Sequence, residues 1–437
     1  MKNRVLISDL NKHIDQEVII AGWMHRIRIL GKIAFVILRD RTGIIQCVLS
    51  NKELINQVKD LQVESVLKIR GIVRASDKQE SGIELDVNEI HIISPVYDMI
   101  PVEINKDEID AHIDTIIDYR PITLRHQKLR AIFKIQAGIV EGYREYMRSQ
   151  GFTEIIFPIL AGASSEGGAE LFKLDYFGKE ATLPQSAQLY KQIMMGVYEG
   201  VYGLSYSFRA EKSATTRHLT EFNQFEFELG FIENIEDLMY HCENVVRHII
   251  MKIQKEFVKE LEILNTTLPI VPEDKPFPRI TLRQALEIYK EYTGIDETME
   301  PDLSPGAEKW LSTEWGPKEH HSNFVFVTHY PLSKRPFYTY PHPDNPELSE
   351  SFDLIGNGSE IVTGGQRVNR YQHQIERLKE KGLNPDDFEG YLMMHKYGIP
   401  TEGGFGMGLQ RLTQNLLGLK NIREATLFPR DLNRLTP

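Results

Sequence analysis

Apolar and polar residues alternate with a period of two along most of the first hundred positions. Val/Ile-rich runs at Glu17–Met24, Ala34–Leu38, Ile44–Leu49, Ser65–Val73 and Ile83–Ile93 are separated by turn signals such as Arg41-Thr42-Gly43 and Glu80-Ser81-Gly82. Five short strands in about a hundred residues, with a helix-like Lys52–Leu61 between the third and fourth, predict a small barrel of the oligonucleotide-binding type. Ser94–Leu124, with Pro95, Pro101 and Pro121 and a run of acids, reads as a linker or hinge. From Lys128 the period lengthens: Leu129, Ile132, Phe133, Ile135, Ile139, Val140 and Tyr143 recur at helical spacing through Tyr146, and Gly151 ends that helix. Strands are predicted over Phe152–Leu160, interrupted by Pro158, over Gly203–Ala210 and over Glu221–Phe231. In the last of these, Phe225, Phe227 and Leu229 alternate with Gln224, Glu226 and Glu228. Further helices are expected over Ile235–Leu261, Leu282–Tyr292 and Tyr371–Lys381. This order predicts an α+β chain in which an antiparallel sheet is flanked by helices, rather than repeated βαβ units. The expected division is a barrel over 1–100, a linker over 101–127 and a large domain over 128–437.

Composition narrows the class. The 437 residues are 41% hydrophobic and 26% charged, as in a soluble globular protein. No apolar run approaches the roughly 18 residues that span a bilayer, and the start of the chain lacks a signal-peptide pattern. Two cysteines, Cys47 and Cys242, build neither a disulfide framework nor a four-thiolate zinc site, so a cytoplasmic protein is expected. The net charge of −11 argues against wholesale phosphate binding, but residues 1–100 are close to neutral, leaving a local basic face open.

Two segments carry chemistry. Gly403-Gly404-Phe405-Gly406-Met407-Gly408-Leu409-Gln410-Arg411 lets backbone approach a ligand and puts an Arg one turn into the next helix. With so few residues after it, this is no dinucleotide-binding βαβ unit. Phe208-Arg209-Ala210-Glu211, a polar loop, Arg217-His218-Leu219 and a return strand from Glu221 would set two arginines over one polyanion. Read alone, the first fits a plain turn and the second a solvated basic hairpin.

With the long helix and the strand ending at Pro158, these segments resemble the three signature motifs of class II aminoacyl-tRNA synthetases, in order and spacing, over the whole chain. The resemblance is greatest to the archaeal-type aspartyl branch, through Ser165–Phe172, Gln185–Gln192, Gly364-Gly365-Gln366-Arg367 and the ending Leu427-Phe428-Pro429-Arg430-Asp431. It implies a ligase that activates L-aspartate with ATP and Mg²⁺ and esterifies tRNA. Arg209 and Arg411 are then catalytic, on the α- and γ-phosphates. Arg217 and His218 close over the triphosphate, Phe222 stacks on adenine, and Glu211, Leu219, Glu360 and Gly408 complete the ATP site. Glu360 and Thr363 are the implied metal ligands, with Asp353 a weaker outer candidate. Arg209 and Thr363 also border the aspartate. Glu166 and Gln188 receive its α-amino group, while Lys191 and Arg367 face its side chain. Two cations there ask for a carboxylate, and asparaginyl relatives typically lack a Lys at that position. In the barrel, Phe35, Gln46 and Glu84 match anticodon-binding positions, although alternation with Ile33 and Ile37 also fits a core Phe35. His25 stands where relatives restricted to the aspartate tRNA tend to carry Trp, so the chain resembles the relaxed group that also accepts the asparagine tRNA. The motif implies a homodimer through Lys128–Tyr146 and the Pro158 strand. An asparaginyl enzyme, a non-catalytic paralogue and an asparagine synthetase are the competing readings. Lys191 opposes the first, the intact arginines the second and the barrel the third. Gln410, where an acid is common, and the atypical strand Gly203–Ser207 depart from the pattern.

Overall fold

In the computed structural model, residues 4–79, 81–162, 171–210, 212 and 215–436 are described, and they divide between His126 and Gln127 into two compact units. In the first, β1 (Glu17–Leu30), β2 (Ile33–Arg39), β3 (Ile44–Leu49), β4 (Val66–Ala75) and β5 (Ile83–Ser94) close a barrel in the order β1-β2-β3-β5-β4. Alternation decides what fills it: Ala34, Val36 and Leu38, Ile45, Cys47 and Leu49, and Leu67 and Ile69 are almost fully buried inside. α1 (Lys52–Val58), capped by the Asn51 side chain on the Glu53 amide, lies between β3 and β4 as the pattern predicts.

The segment read as a linker is partly helical and packed. α2 (Ile113–Asp118) and α3 (Arg120–Thr123) form within it, and Val102, Ile104 and Ile117 are buried. Pro121, taken as a breaker, sits in the first turn of α3, where its missing N–H has no helical acceptor to lose.

The second unit begins with α4 (Gln127–Ser149), closed by Gly151 at φ +81°. Only β6 (Thr153–Glu154) forms of the strand expected to Leu160. It is an edge strand whose pairing to β9 ends with the Ile155 N–H on the Tyr202 carbonyl at 2.9 Å, and Ile156 is 98% exposed. After the hairpin β7 (Lys173–Tyr176) and β8 (Lys179–Thr182) come α5 (Gln188–Tyr198), β9 (Gly200–Phe208) and β10 (Glu221–Gly230). The long helix expected next is broken at Phe257 into α6 (Ile235–Glu256) and α7 (Val258–Leu264). The break sets the Phe257 ring against Gly138 of α4, where a Cβ would come within 2.5 Å of it. β11 (Arg279–Thr281), α8 (Leu282–Thr293), α9 (Pro305–Trp310), α10 (Gly316–His320), β12 (Phe324–Thr328), β13 (Ser351–Gly356) and β14 (Ser359–Gln366) follow. The chain ends through α11 (Tyr371–Glu380), α12 (Glu389–Tyr397), β15 (Glu402–Gly408) and α13 (Leu409–Leu417).

The large sheet runs β11-β12-β13-β14-β15-β10-β9-β6. It is antiparallel from β12 to β9, as expected, but carries a parallel pair at each edge, β11 with β12 and β6 with β9. Phe225, Phe227, Phe352, Val362 and Phe405 face the core shared with α4 and α6, which leaves the opposite face of the central strands for polar side chains.

Candidate active site

That polar face floors a cavity of about 460 Å³. Among the described residues seven basic side chains line it, Lys191, Arg209, Arg217, Lys334, Arg335, Arg367 and Arg411, against two acidic ones, Glu226 and Glu360. In a chain of net charge −11 this is a strong local reversal, and it selects for anions.

Each strand supplies its part for a reason visible in register. β9 and β10 pair from Glu221 against Phe208 to Leu229 against Gly200, and this ladder delivers Arg209 and Phe222 to the cavity mouth. The Arg209 guanidinium lies 5.4 Å from the Phe222 ring centroid. Phe222 is therefore half-buried at the cavity rather than a core residue. On β14, Glu360 and Thr363 are three apart, a spacing that points side chains to opposite faces of a regular strand. Leu354 pairs with Val362 and Ile355 with Glu360, so Ile361 is an extra, bulged residue. The bulge rephases the strand, and Thr363 Oγ1 donates to Glu360 Oε1 at 2.7 Å. Arg411, one turn into α13, donates to the Glu360 carbonyl at 3.1 Å.

The two oxygens of Glu360 and Thr363 suit a hard cation. Nearby, burial and then the Glu360 charge push the Glu308 carboxyl up to about 7. A cation beside Glu360 would relieve that crowding. Asp353 is committed to Arg335 at 2.9 Å and is not on the cavity wall. A separate group, His329, His342 and Glu350, has ligand atoms within 4.8 Å of one another. There His342 Nδ1 accepts the backbone N–H groups of Asp344 and Asn345, so the neutral ring keeps its proton on Nε2, the nitrogen facing Glu350.

At the cavity's closed end Lys191 is 1% exposed. Its Nζ meets Glu226 Oε2 at 2.9 Å, Glu228 Oε2 at 3.2 Å and the Phe405 carbonyl at 3.0 Å. Arg367 Nε donates to Glu228 Oε1 at 2.7 Å, and Nη1 has no partner among the described residues. The two cations expected around the substrate side chain are thus both already paired with carboxylates of β10.

A model of the tRNA synthetases class II (D, K and N) matches residues 112–432, and one of an OB-fold nucleic acid binding domain matches 18–93. The chain is a class II tRNA synthetase. Over 434 residues, 99% of this synthetase and all of the relative, it is 45% identical to an aspartate–tRNA(Asp/Asn) ligase of Thermus thermophilus. It is 38% identical to an aspartate–tRNA(Asp) ligase of Thermoplasma acidophilum, covering 99% and 100% of the two chains. Among solved structures, asparaginyl-tRNA synthetase of Pyrococcus horikoshii complexed with asparaginyl-adenylate superposes with TM-score 0.91 at 33% identity, over all of both chains.

Of the positions singled out in the synthetase's sequence, Gln188, Lys191, Arg209, Arg217, His218, Leu219, Phe222, Glu360, Thr363, Arg367, Gly408 and Arg411 all line the cavity. Glu166 and Glu211 lie outside the described residues. Arg217 is docked on Glu308 at 2.9 Å and on the Gly358 carbonyl at 3.0 Å. Sequence reasoning missed Glu226 and Glu228, although the polar half of the Glu221–Phe231 alternation carried the signal. On β10, flanked by β15 and β9, both acids are almost fully buried, which marks them as part of a site rather than of a solvated face. The glycines of the last motif form strand β15 rather than a loop, and a Cβ at Gly404 would stand 2.3 Å from Glu228 Oε2. The two departures from the family pattern are also engaged. Gln410 exchanges hydrogen bonds with Asn223, both at 2.9 Å, and Ser205 donates to Glu226 at 2.8 Å.

In the barrel, Phe35, Gln46 and Glu84 sit on the outer face, out of the core, and Gln46 donates to Glu84 at 3.1 Å. His25 is the extra residue of a bulge, since Met24 pairs with Leu38 and Arg26 with Ile37. Burial first, then Arg39 and Arg26, lowers its imidazole to about 4.

Proposed function

We propose that this synthetase activates L-aspartate with ATP and transfers it to the aspartate tRNA and, equally, to the asparagine tRNA. The observation that carries the reading is the basic cavity itself, with Arg209 and Arg411 over one end and Lys191 and Arg367 at the other. The full-length likeness to an aspartate–tRNA(Asp/Asn) ligase supports it.

In the first step an oxygen of the aspartate α-carboxylate attacks the α-phosphorus, the bond to pyrophosphate breaks, and aspartyl-adenylate forms. Arg209 holds the α-phosphate with its planar fork as charge builds there. Arg411, with Arg217 and His218, holds the terminal phosphates of a bent ATP, and Phe222 stacks on the adenine. Arg217 must leave Glu308 to do so. Gly408 and Leu219 shape the nucleotide pocket. Glu360 and Thr363 would hold Mg²⁺, which would offset the negative charge of the phosphates. In the second step a terminal ribose hydroxyl of tRNA attacks the acyl carbon and AMP leaves. No protein nucleophile is needed, so rate comes from placement and charge.

The substrate's α-ammonium meets Gln188 and its side-chain carboxylate meets Arg367 Nη1. An asparagine amide would offer that guanidinium a single neutral acceptor in place of a charged one. The barrel's outer face, with Phe35, Gln46 and Glu84, takes the anticodon, and His25 rather than Trp leaves its first position permissive. The enzyme works in the cytoplasm as a homodimer, and exposed Ile156, Ile159 and Leu160 beside β6 supply apolar area for the two-fold interface. ATP–pyrophosphate exchange should depend on aspartate and remain near background with asparagine, and labelled aspartate should charge both purified tRNAs at comparable rates. Equal exchange with asparagine would overturn the substrate, and a several-hundred-fold preference for the aspartate tRNA would overturn the relaxed anticodon reading. A monomeric mass by light scattering at micromolar concentration would overturn the dimer.

A further inference from the structure

Behind the closed end of the cavity stands a third carboxyl group that no motif singled out. Glu402 opens β15 and is fully buried. Its Oε1 accepts from Gln192 Nε2 at 2.6 Å, and its Oε2 is buried with no partner among the described residues. The Gln192 amide in turn accepts from Gln188 at 3.0 Å and from the Tyr391 hydroxyl at 3.2 Å, so Glu402 is two hydrogen bonds from the cavity wall. The charged groups that act on it are Glu228 on β10, Arg367 after β14 and Lys191 on α5, with Tyr391 on α12 nearby.

Charge counting makes the third carboxyl significant. Lys191 and Arg367 balance Glu226 and Glu228, so an ionised Glu402 would leave this dry cluster one negative charge in excess before any substrate arrives. A second uncompensated carboxylate, that of the substrate, would then be strongly opposed at such low dielectric. Burial, reinforced by Glu228, holds the Glu402 carboxyl neutral well above the usual carboxylate range.

We propose that Glu402 is a positioning residue that sets the charge of the amino-acid pocket, admitting a substrate side-chain carboxylate only while it carries its proton. The proposal rests on the aspartate reading of the pocket. No covalent step involves Glu402, and kcat should be indifferent to it.

The test uses the full-length enzyme and follows KM for aspartate, and Ki for succinate, from pH 7 to 9.5 in the wild type and in Glu402→Gln. Succinate has the carboxylate but lacks the α-amino group, whose own titration would confuse the profile. In the wild type both constants should rise at the alkaline end, approaching tenfold per pH unit once Glu402 ionises, while those of Glu402→Gln stay level. Glu402→Met, neutral and of similar length, should match Glu402→Gln and serves if the amide variant does not fold. Infrared difference spectra should also show a neutral carboxyl C=O band in the wild type that Glu402→Gln lacks. Superimposable pH profiles, or no such band, would overturn the proposal. Failure of aspartate to support exchange at any pH would instead overturn the substrate reading on which it stands.

Discussion

Lys191 illustrates how much one buried side chain can hold. It is the shared partner of two carboxylates that are themselves almost fully buried. Among the described residues, Lys191→Met would leave Glu226 with no other cation and Glu228 with Arg367 alone. Breaking a buried pair costs about 3–5 kcal/mol. At about 1.5 °C per kcal/mol for a unit as long as Gln127–Pro437, the melting temperature should fall by roughly 5–8 °C, measured by calorimetry. Aspartate-dependent exchange should fall by orders of magnitude, with little change in ATP binding. A variant of unchanged melting temperature would contradict the pairing. Phe222 makes a complementary case. Base–aromatic stacking is worth about 1–3 kcal/mol, so Phe222→Leu should raise KM for ATP by about 5- to 150-fold and leave KM for aspartate alone. Equal changes in both would mean that the ring merely supports Arg209.

At the scale of elements, the residues that could be read from the sequence are those whose local pattern and partner agree. The barrel strands and α4 announce themselves because their buried faces follow periods of 2 and 3.6 without interruption. The helix Ile235–Leu261 misleads because its apolar spacing runs straight through Phe257, and only the packing of that ring on Gly138 reveals the break. Pro158 was visible, but that the strand stops after Ile155 depends on the place of β6 at the sheet edge. Glu226 and Glu228 were seen as the polar half of an alternation, and their importance follows only from the central position of β10. Gly404 belongs with them: Gly404→Ala would drive a methyl group to within 2.0 Å of the Phe227 carbonyl and 2.3 Å of Glu228. We expect this variant to lose aspartate activation and to unfold at lower urea concentration, as followed by circular dichroism. Wild-type stability would show that β15 can shift away from β10.

For the whole molecule, the charge distribution sets which conditions matter. A chain of −11 binds a polyanionic tRNA through local faces, so charging should weaken with salt and be compared at fixed ionic strength. His25 contributes differently. With its imidazole lowered from 6.5 to about 4, it is neutral throughout the working range. The ratio of asparagine-tRNA to aspartate-tRNA charging should therefore stay constant between about pH 5.5 and 8. A ratio that turns over near 6.5 would mean an exposed, ordinary histidine. The linked effect on stability has a definite sign. The unfolded chain takes up a proton below 6.5 that the native barrel refuses until about 4, so native stability is full above 6.5 and declines as the pH falls through that interval. His25→Trp should shift the charging ratio toward the aspartate tRNA and remove this acid sensitivity.

The bulge at Ile361 makes the proposed cation site depend on a count of residues as well as on their identities. Exchanging Ile361 for Val or Leu leaves the count intact, so the strand can drift in sequence while Glu360 and Thr363 keep their meeting point. Removing one residue there would close the ladder into a plain pleat that leaves Glu360 and Thr363 two apart and still on one face, whereas adding one would turn Thr363 to the opposite face. For a lineage carrying this strand, the forbidden event is therefore the gain of a single codon: a frame-preserving insertion would yield a chain that still folds and has forgotten its chemistry.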